Sequence, residues 1–197
     1  MSTPDGLMQD LREVGIEAED IWDLVDRVSD YGAAIPVLLD WLTNLESRAP
    51  EKDRPRLQEG LVRALTVSAA RPAAAPALVR EFRRTEDSTG LGNRWVIGNA
   101  LAVVADDSMF DELDELIRDR SYGRARQMLV AGLGRSTDPR AVELLISMLK
   151  DDEVAAHALT ALARLKPPGV RAHVEPLLGH GNLLVRREAK KAMAKLP

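Results

Sequence analysis

Apolar residues recur along most of this chain at the three- and four-residue spacing of amphipathic helices, and short polar stretches separate them. The pattern therefore predicts an all-α protein. It is most regular over residues 122–166, where it predicts three helices at 122–135, 137–150 and 153–166 joined by short turns. Those three helices are the regular centre of the chain.

The same periodicity predicts helices on both sides of that centre. Their predicted ranges are 7–14, 17–29, 33–45, 56–70, 73–84, 94–105, 110–119, 170–178 and 183–196. The polar segments 47–55 and 85–93 contain prolines or glycines and are predicted to be loops. Ser108 and Ser121 stand where N-caps are expected, and Asp138 and Pro139 are predicted to be an N-cap and a first helical residue.

Two series of buried positions repeat along the chain and define two sets of helices. The first helices are anchored by Val25, Leu65, Leu101, Leu133, Leu162 and Met193. The second helices are anchored by Leu38, Leu78, Leu113, Leu145 and Leu178. The last five first-helix anchors are 36, 32, 29 and 31 residues apart, and the second-helix anchors 40, 35, 32 and 33. Two series that agree on a period near 30 residues predict a stacked helical array.

The array is predicted to fill one domain over residues 1–197. Residues 1–16 are predicted to cover the open end, 17–182 to form the helix pairs, and 183–197 to form a capping helix. In the last helix the basic side chains lie opposite the apolar face, as a capping helix requires.

Three segments resemble the HEAT-repeat family, in particular its short bacterial HEAT-like units, one branch of which includes the phycobilisome lyases. They are AIPVLLDWL at 34–42, LVRREA at 184–189 and AGLGRSTDPRAVELL at 131–145. The resemblance implies a right-handed α-solenoid of about five HEAT-like helix pairs plus a capping helix, whose second helices line the concave side.

Arginines precede three of the first-helix anchors by seven residues, at Arg94, Arg126 and Arg186, whereas Gln58 and Ala155 interrupt the series. In related HEAT repeats such an arginine pairs with an acidic group of a neighbouring unit, so the resemblance implies a structural role. Contact with an anion at one rim is the functional alternative.

Charge alternates along the chain, although the net charge is only −4. Residues 1–53 carry 4 basic and 13 acidic groups, 54–105 carry 8 and 4, 106–153 carry 7 and 12, and 154–197 carry 8 and 2. A nucleic-acid-binding protein is expected to carry one continuous basic surface, so this distribution disfavours nucleic acid as the partner. The 21 arginines against 6 lysines are typical of a GC-rich bacterial genome.

Candidate catalytic and metal-binding groups do not form a recognised constellation. The chain has no cysteine, and its three histidines, at 157, 173 and 180, lack the spacing of a helical zinc pair. The acidic groups at 106–107 and 151–153 are better explained as helix caps than as cation ligands. Neither GLGN at 90–93 nor GLGRS at 132–136 has the spacing of a phosphate-binding loop. We therefore predict no enzyme activity, no cofactor and no metal.

The candidate binding residues lie on the predicted concave row, two residues beyond the second-helix anchors. This row and its flanking residues are Asp40, Arg80, Arg84, Glu115, Ser147 and His180. Its mixed charge suits a peptide or protein partner, and a solvated face with internal ion pairs is the alternative. Trp41 and Trp95 are candidate aromatic anchors, although lateral packing between helices is favoured for them and for Trp22 and Tyr122.

Together these features predict a non-catalytic scaffold or adaptor that binds a protein or peptide on the concave face or loop rim. A HEAT-like lyase or chaperone that binds a chromophore or small ligand is the alternative, and a HEAT-like DNA glycosylase is a third. The chain begins without a basic region followed by an apolar run and contains no apolar stretch of membrane-spanning length, so we expect a cytoplasmic protein with no membrane contact. Nothing in the sequence indicates an oligomeric state.

Overall fold

The chain forms thirteen α-helices and no strand over the residues that a computed structural model describes, which are 4–26, 30–86 and 92–197. The helices are α1 Asp5–Glu13, α2 Ile21–Asp26, α3 Ile35–Thr43, α4 Leu45–Arg48, α5 Arg54–Ala64, α6 Ala75–Arg84, α7 Asn93–Val104, α8 Phe110–Arg118, α9 Arg126–Gly132, α10 Arg140–Met148, α11 Ala155–Leu165, α12 Arg171–Val174 and α13 Leu183–Met193. Short 3-10 turns join several of them, including Leu133–Arg135 and Glu175–Gly179.

The helices stack in two layers. The first helices, α2, α5, α7, α9, α11 and α13, contact one another in chain order, and the second helices α3, α6, α8, α10 and α12 form the other layer. Each unit therefore contacts mainly its neighbours, which is the arrangement of an all-α solenoid. This confirms the predicted fold class.

The repeat anchors form the core of the stack. Eight of them are buried, at 9% exposure or less, and Val25, Leu178 and Met193 are partly buried against the others. Burying one leucine side chain contributes about 1.5–3 kcal/mol, so the repeated apolar position accounts for much of the driving force that stacks the units. α1 extends the stack at its beginning, where it packs on α3.

The sequence pattern suggests pairs in which a first helix is followed by its second helix, whereas the tightly packed helical hairpins of the structure begin one helix later. α6 packs mainly on α7, α10 on α11, and α12 with its following turn on α13, so each second helix pairs with the first helix that follows it. At the α6–α7 contact, Phe82 lies against Gly98, where a β-carbon would be only 3.4 Å from its ring. Each structural unit therefore begins with a second helix.

The two layers differ in how closely their helices approach. A β-carbon on Gly132 would lie 3.0 Å from the Cα of Ala102, and one on Gly134 would lie 3.0 Å from the Cα of Ala161. Successive second helices are farther apart and meet through long charged side chains. The layer with the shorter spacing lies inside a curved stack, so the first helices line the concave side. This placement differs from the one that the family resemblance implies, in which the second helices line the concave side.

Several local boundaries differ from their predictions. Segment 47–55 is not a simple loop, because it contains the end of α4, a 3-10 turn and the start of α5. Arg54 ties this segment together by donating to the carbonyls of Ala49, at 2.9 Å, and Glu46, at 2.6 Å. The helix predicted at 17–29 begins only at Ile21, and residues 27–29 of that range lie outside the described residues.

The capping residues lie two positions before the predicted serines. The carboxylate of Asp106 accepts from the Ser108 amide at 3.0 Å, and that of Asp119 accepts from the Ser121 amide at 2.9 Å. Asp138 accepts from the Arg140 amide at 2.9 Å, as expected of a residue that caps α10. An aspartate and a serine suit a cap equally well, so propensity alone did not distinguish them.

Candidate partner-binding surface

The arginines that precede the first-helix anchors hold the scaffold together. Arg126 is fully buried and donates to the carboxylates of Asp151, at 3.0 Å, and Glu153, at 3.1 Å, just before the next first helix, α11. It also donates to the carbonyls of Ile117 and Gly123. This confirms, for Arg126, the predicted pairing with a neighbouring unit.

The other two arginines of the series bind carbonyl groups instead of acids. Arg94 donates to the carbonyls of Phe82 and Thr85 at the end of α6, and its guanidinium lies 4.9 Å from the ring centroid of Tyr122. Arg186 donates to the carbonyls of His180 and Gly181. All three arginines thus satisfy carbonyls near the end of the preceding second helix, which leaves none of them free for an anion.

Most of the predicted binding row on the second helices is engaged within the chain. Asp40 pairs with Arg48 at 2.5 Å, Glu115 pairs with Arg83 at 2.8 Å, and the Ser147 hydroxyl donates to the Leu144 carbonyl at 2.6 Å. These contacts are local to each helix or link neighbouring helices, and they do not gather the row into one site.

The remaining members of the row differ in whether they have an acidic partner. Arg84 contacts Glu81 at 3.0 Å and Glu46 at 3.2 Å, and the His180 Nε2 lies 3.2 Å from Asp152. Arg80 is exposed and makes no ion pair with the described residues.

The tryptophans are packing residues to different degrees. Trp41 is 5% exposed, and its indole N–H donates to Asp10 at 2.7 Å, which fixes α3 against α1. A buried ring cannot anchor a partner, so this structure does not support Trp41 as an aromatic anchor. Trp95 is partly buried in α7, and its indole N–H, like that of Trp22, is buried without an acceptor among the described residues.

A groove crosses the concave layer instead. It has a volume of about 630 Å³, passes over α7, α9 and α11, and reaches the end of α13. Small and apolar residues form its floor, with two polar side chains among them: Ala102, Val103, Met128, Ala131, Gly132, Ala161, Ala163, Asn99 and Thr160. The volume lies within the range of about 300–1,000 Å³ that is usual for ligand sites. The close approach of the first helices requires this small-residue floor.

One edge of the groove is basic. Arg135, Arg164, Lys166 and Lys195 line it, and no aspartate or glutamate does so within the described residues. These four side chains make no hydrogen bond or ion pair with the described part of the chain, and all four are exposed. Arg135 is still partly desolvated by its neighbours, and this desolvation, followed by the charges of Arg164 and Arg71, lowers the pKa of its guanidinium. The edge is therefore an uncompensated cluster of positive charge.

A second cavity, between α7, α8 and α9, is a packing void. Its volume is about 120 Å³, and core residues such as Leu101, Leu113 and Phe110 line most of it. Two acidic residues also line it. Asp107 already accepts from Ser136 and Thr137, and Asp106 accepts from Ser108. The cavity is well below the usual size of a ligand site.

The described residues contain no group of three or more histidine, aspartate or glutamate side chains that could hold a metal ion. His157 is partly buried, with an unpartnered Nδ1, and burial lowers its pKa, an effect that the charge of Glu188 opposes. Over the same residues every helix is too short or too polar to cross a bilayer.

The repeat also carries a signal for the groove in its sequence. Arg135, Arg164 and Lys195 each stand two residues after a first-helix anchor, in three successive units. The resemblance points instead to the row two residues after the second-helix anchors, because it implies that the second helices line the concave side.

Comparisons with known proteins do not extend the assignment. No family model matches the chain, and no curated protein matches it. Among solved structures it is similar to a designed armadillo repeat protein, with 16% sequence identity and a TM-score of 0.49 over 97% of this chain and 100% of that one. An identity and a TM-score this low carry no conclusion about function.

Proposed function

We propose that this chain is a HEAT-like repeat module without catalytic activity, and that it binds a segment of a protein partner along the concave groove. The observation that carries the proposal is the groove itself, which runs across four successive units and has an apolar floor and free polar groups. A surface that spans several units suits an elongated ligand better than a compact one.

The floor of the groove has the chemistry that a peptide needs. The Asn99 side chain makes no hydrogen bond with the described residues, so its amide can donate to and accept from a peptide bond. Val103 and Met128 add apolar contact, and methionine adapts its shape to different side chains. We expect affinity to come from main-chain hydrogen bonds together with this apolar contact.

The second-helix row remains the competing surface. Arg80 is its free cation, and a partner could also displace the exposed ion pairs of Asp40, Arg84 and Glu115, because such pairs are worth only about 0–1 kcal/mol each. Ser147 and His180 lie farther along the same layer, and Trp95 belongs to the concave layer. We favour the groove because its cations have no internal partner to displace.

Site-specific photocrosslinking distinguishes the two surfaces. A photoreactive amino acid would replace Met128 in the groove and, in a matched variant, Ser147 in the second-helix row. After irradiation in the native host, we expect a covalent protein adduct from position 128 and none from position 147. Adducts from position 147 alone would move the site to the row. The absence of any protein adduct from either position would contradict a protein-binding role.

A further inference from the structure

The basic edge of the groove follows the repeat. Arg135, Arg164 and Lys195 occupy the same position in three successive units, two residues after Leu133, Leu162 and Met193. Since neighbouring packed helices are about 8–10 Å apart, this register places one cation at roughly that interval along the edge. Lys166 adds charge to the same edge. Arg71 lies outside the groove lining, where its charge acts on Arg135 and its guanidinium donates to the Val103 carbonyl.

The helix dipole alone does not account for this edge. It favours a cation in the last turn of each helix. It does not require those cations to gather along one groove whose described lining contains no carboxylate, when the chain as a whole has four more acidic than basic residues. The carboxylate of Asp107, which lines the neighbouring cavity together with Arg135, already accepts from Ser136 and Thr137. Ion pairs engage many arginines elsewhere in the described chain, such as Arg48, Arg83, Arg118 and Arg140. A repulsive cluster that has been left unpaired is the arrangement expected of a site that meets an anionic partner.

We propose that the groove binds an acidic, extended peptide segment whose carboxylates recur at every third residue. This proposal rests on the proposed function and adds the chemical class of the partner. An extended chain in the polyproline II conformation has three residues per turn and rises about 3.1 Å per residue, so every third side chain points the same way. Three residues then span about 9 Å, which matches the interval between cations. The peptide backbone lies on the small-residue floor near Asn99, and its acidic side chains point to Arg135, Arg164 and Lys195.

The shape of the groove favours a peptide over a nucleic acid. The cations lie along one edge only, whereas a duplex needs contacts to phosphates on two strands over a wider surface. The floor offers no aromatic side chain on which a single-stranded base could stack, because the residues that line it are Asn99, Thr160 and small or aliphatic ones. Acidic residues outnumber basic ones by 12 to 7 over 106–153, which further weakens attraction to a polyanion of high charge density.

The test uses the whole chain and fluorescein-labelled synthetic peptides of about fifteen residues, a length that spans the groove. One peptide repeats Glu-Ser-Ala, a second has the same composition with its glutamates in one block, and a third repeats Lys-Ser-Ala. We expect fluorescence anisotropy to detect binding of the first peptide, at least about tenfold tighter than of the second, and none of the third. Binding should weaken as salt is added, because the contacts are at the surface.

Two charge-reversal variants locate the site. The triple variant Arg135→Glu, Arg164→Glu, Lys195→Glu should lose binding by more than about tenfold. The control triple Arg12→Glu, Lys52→Glu, Lys150→Glu has the same net charge and replaces exposed cations that make no ion pair with the described residues. It should bind within about threefold of the parent. Thermal unfolding should show both variants folded, since neither removes an internal contact.

The remaining outcomes overturn the proposal in distinguishable ways. Equal loss of binding in both triple variants would mean that the peptide is attracted non-specifically by charge. Equal binding of the peptide with its glutamates in one block would contradict the proposed three-residue spacing of the carboxylates. Tighter, groove-dependent binding of an oligothymidine or a DNA duplex would make the partner a nucleic acid. If no acidic peptide binds while position 128 still crosslinks to a protein, the acidic segment is wrong and the proposed function stands. If both experiments fail, both proposals fall.

Discussion

Successive first helices touch through glycine and alanine, whereas successive second helices are linked by long charged side chains. In the first layer, Gly132 lies against Ala102 and Gly134 against Ala161. In the second layer, Arg83 reaches Glu115 at 2.8 Å and Arg140 reaches Asp111 at 2.6 Å. Small residues permit close packing, while exposed ion pairs tolerate distance and water. The comparison shows that two different kinds of contact hold the two layers together.

The largest expected difference between the two layers is the loss of unfolding free energy when an ion pair is removed. Arg126→Met removes the main partner of buried Asp151, and breaking a buried pair typically costs about 3–5 kcal/mol. We expect a loss of about 3 kcal/mol in the free energy of unfolding, at the lower end of that range, because Arg120 remains 3.3 Å from Asp151. Urea unfolding followed by circular dichroism measures it.

The matched control is Arg83→Met in the second layer. Its pair with Glu115 is exposed, so the loss should be less than about 1 kcal/mol. Equal losses in the two variants would mean that the layers are not held by different interactions.

The close spacing of the first helices is tested at Gly98 of α7. A β-carbon there would lie 2.9 Å from the Ala125 carbonyl oxygen, so Gly98→Ala forces two backbones apart. Overpacking of this kind costs about 1–3 kcal/mol, which outweighs the gain of about 0.5–1 kcal/mol from replacing a helical glycine. We expect a net loss of about 1 kcal/mol or more in thermal unfolding.

Gly179 is the control for this substitution, because it lies in the second-layer turn with nothing within 4 Å of its β-carbon position. Gly179→Ala should leave the stability within about 0.5 kcal/mol. A stabilised Gly98→Ala variant would show that the first helices have room to separate.

Burial in the first layer should also make stability depend on pH. Burial lowers the pKa of His157 below its ordinary 6.5, so the unfolded state takes up the proton first as pH falls. Stability should therefore be present above about pH 6.5 and decline below it. We expect His157→Gln to flatten this decline between pH 7.5 and 5.5, an effect smaller than the two above.

The titration of acidic groups does not interfere with the measurement of the His157 effect between pH 7.5 and 5.5. Burial raises the pKa of Asp107, but its hydrogen bonds outweigh burial and lower the pKa overall, and hydrogen bonds also lower the pKa of Asp119. The stability that these groups contribute is therefore lost only at a more acidic pH. His173→Gln changes an exposed histidine and should leave the pH profile of unfolding unaltered. A His157→Gln variant with the slope of the parent would remove His157 as the cause.

The smallest expected effect is a gain in stability. Burial and the charges of Arg164 and Arg71 disfavour the cationic form of Arg135, which lowers its pKa. Replacing it in Arg135→Gln should raise the free energy of unfolding by a few tenths of a kcal/mol, the usual size of like-charge repulsion on a surface. Added salt should abolish the gain, and Lys150→Gln should show none. A destabilised Arg135→Gln variant would mean that Arg135 supports the fold.

Much of this fold could be predicted from local pattern. The anchors, the helix order and the two layers follow from apolar spacing, because each helix must bury one stripe whatever its neighbours are. The structural pairing of Arg126 with the neighbouring unit was implied by the family resemblance at that repeat position. Helix ends were less predictable, as at Asp106 and Asp119, because several adjacent residues can cap equally well.

The candidate site was harder to predict. Arg135, Arg164 and Lys195 are ordinary surface cations when each is considered alone, and they form one edge only because their units stack in register. The second-helix row was also a regular series in the sequence, yet local ion pairs engage most of its charged members. A repeat thus produces regular rows on every face, and spacing along the chain does not say which row borders a groove.

The sequence by itself determined that this protein is an all-α array with a period near 30 residues, because apolar periodicity is a local property of each helix. Tertiary structure alone decided which helices form the tight hairpins and which layer lies inside the curve. Those choices depend on how closely Gly98, Gly132 and Gly134 allow neighbouring helices to approach. Such distances are measured between units, and they place the groove and its basic edge on the first helices.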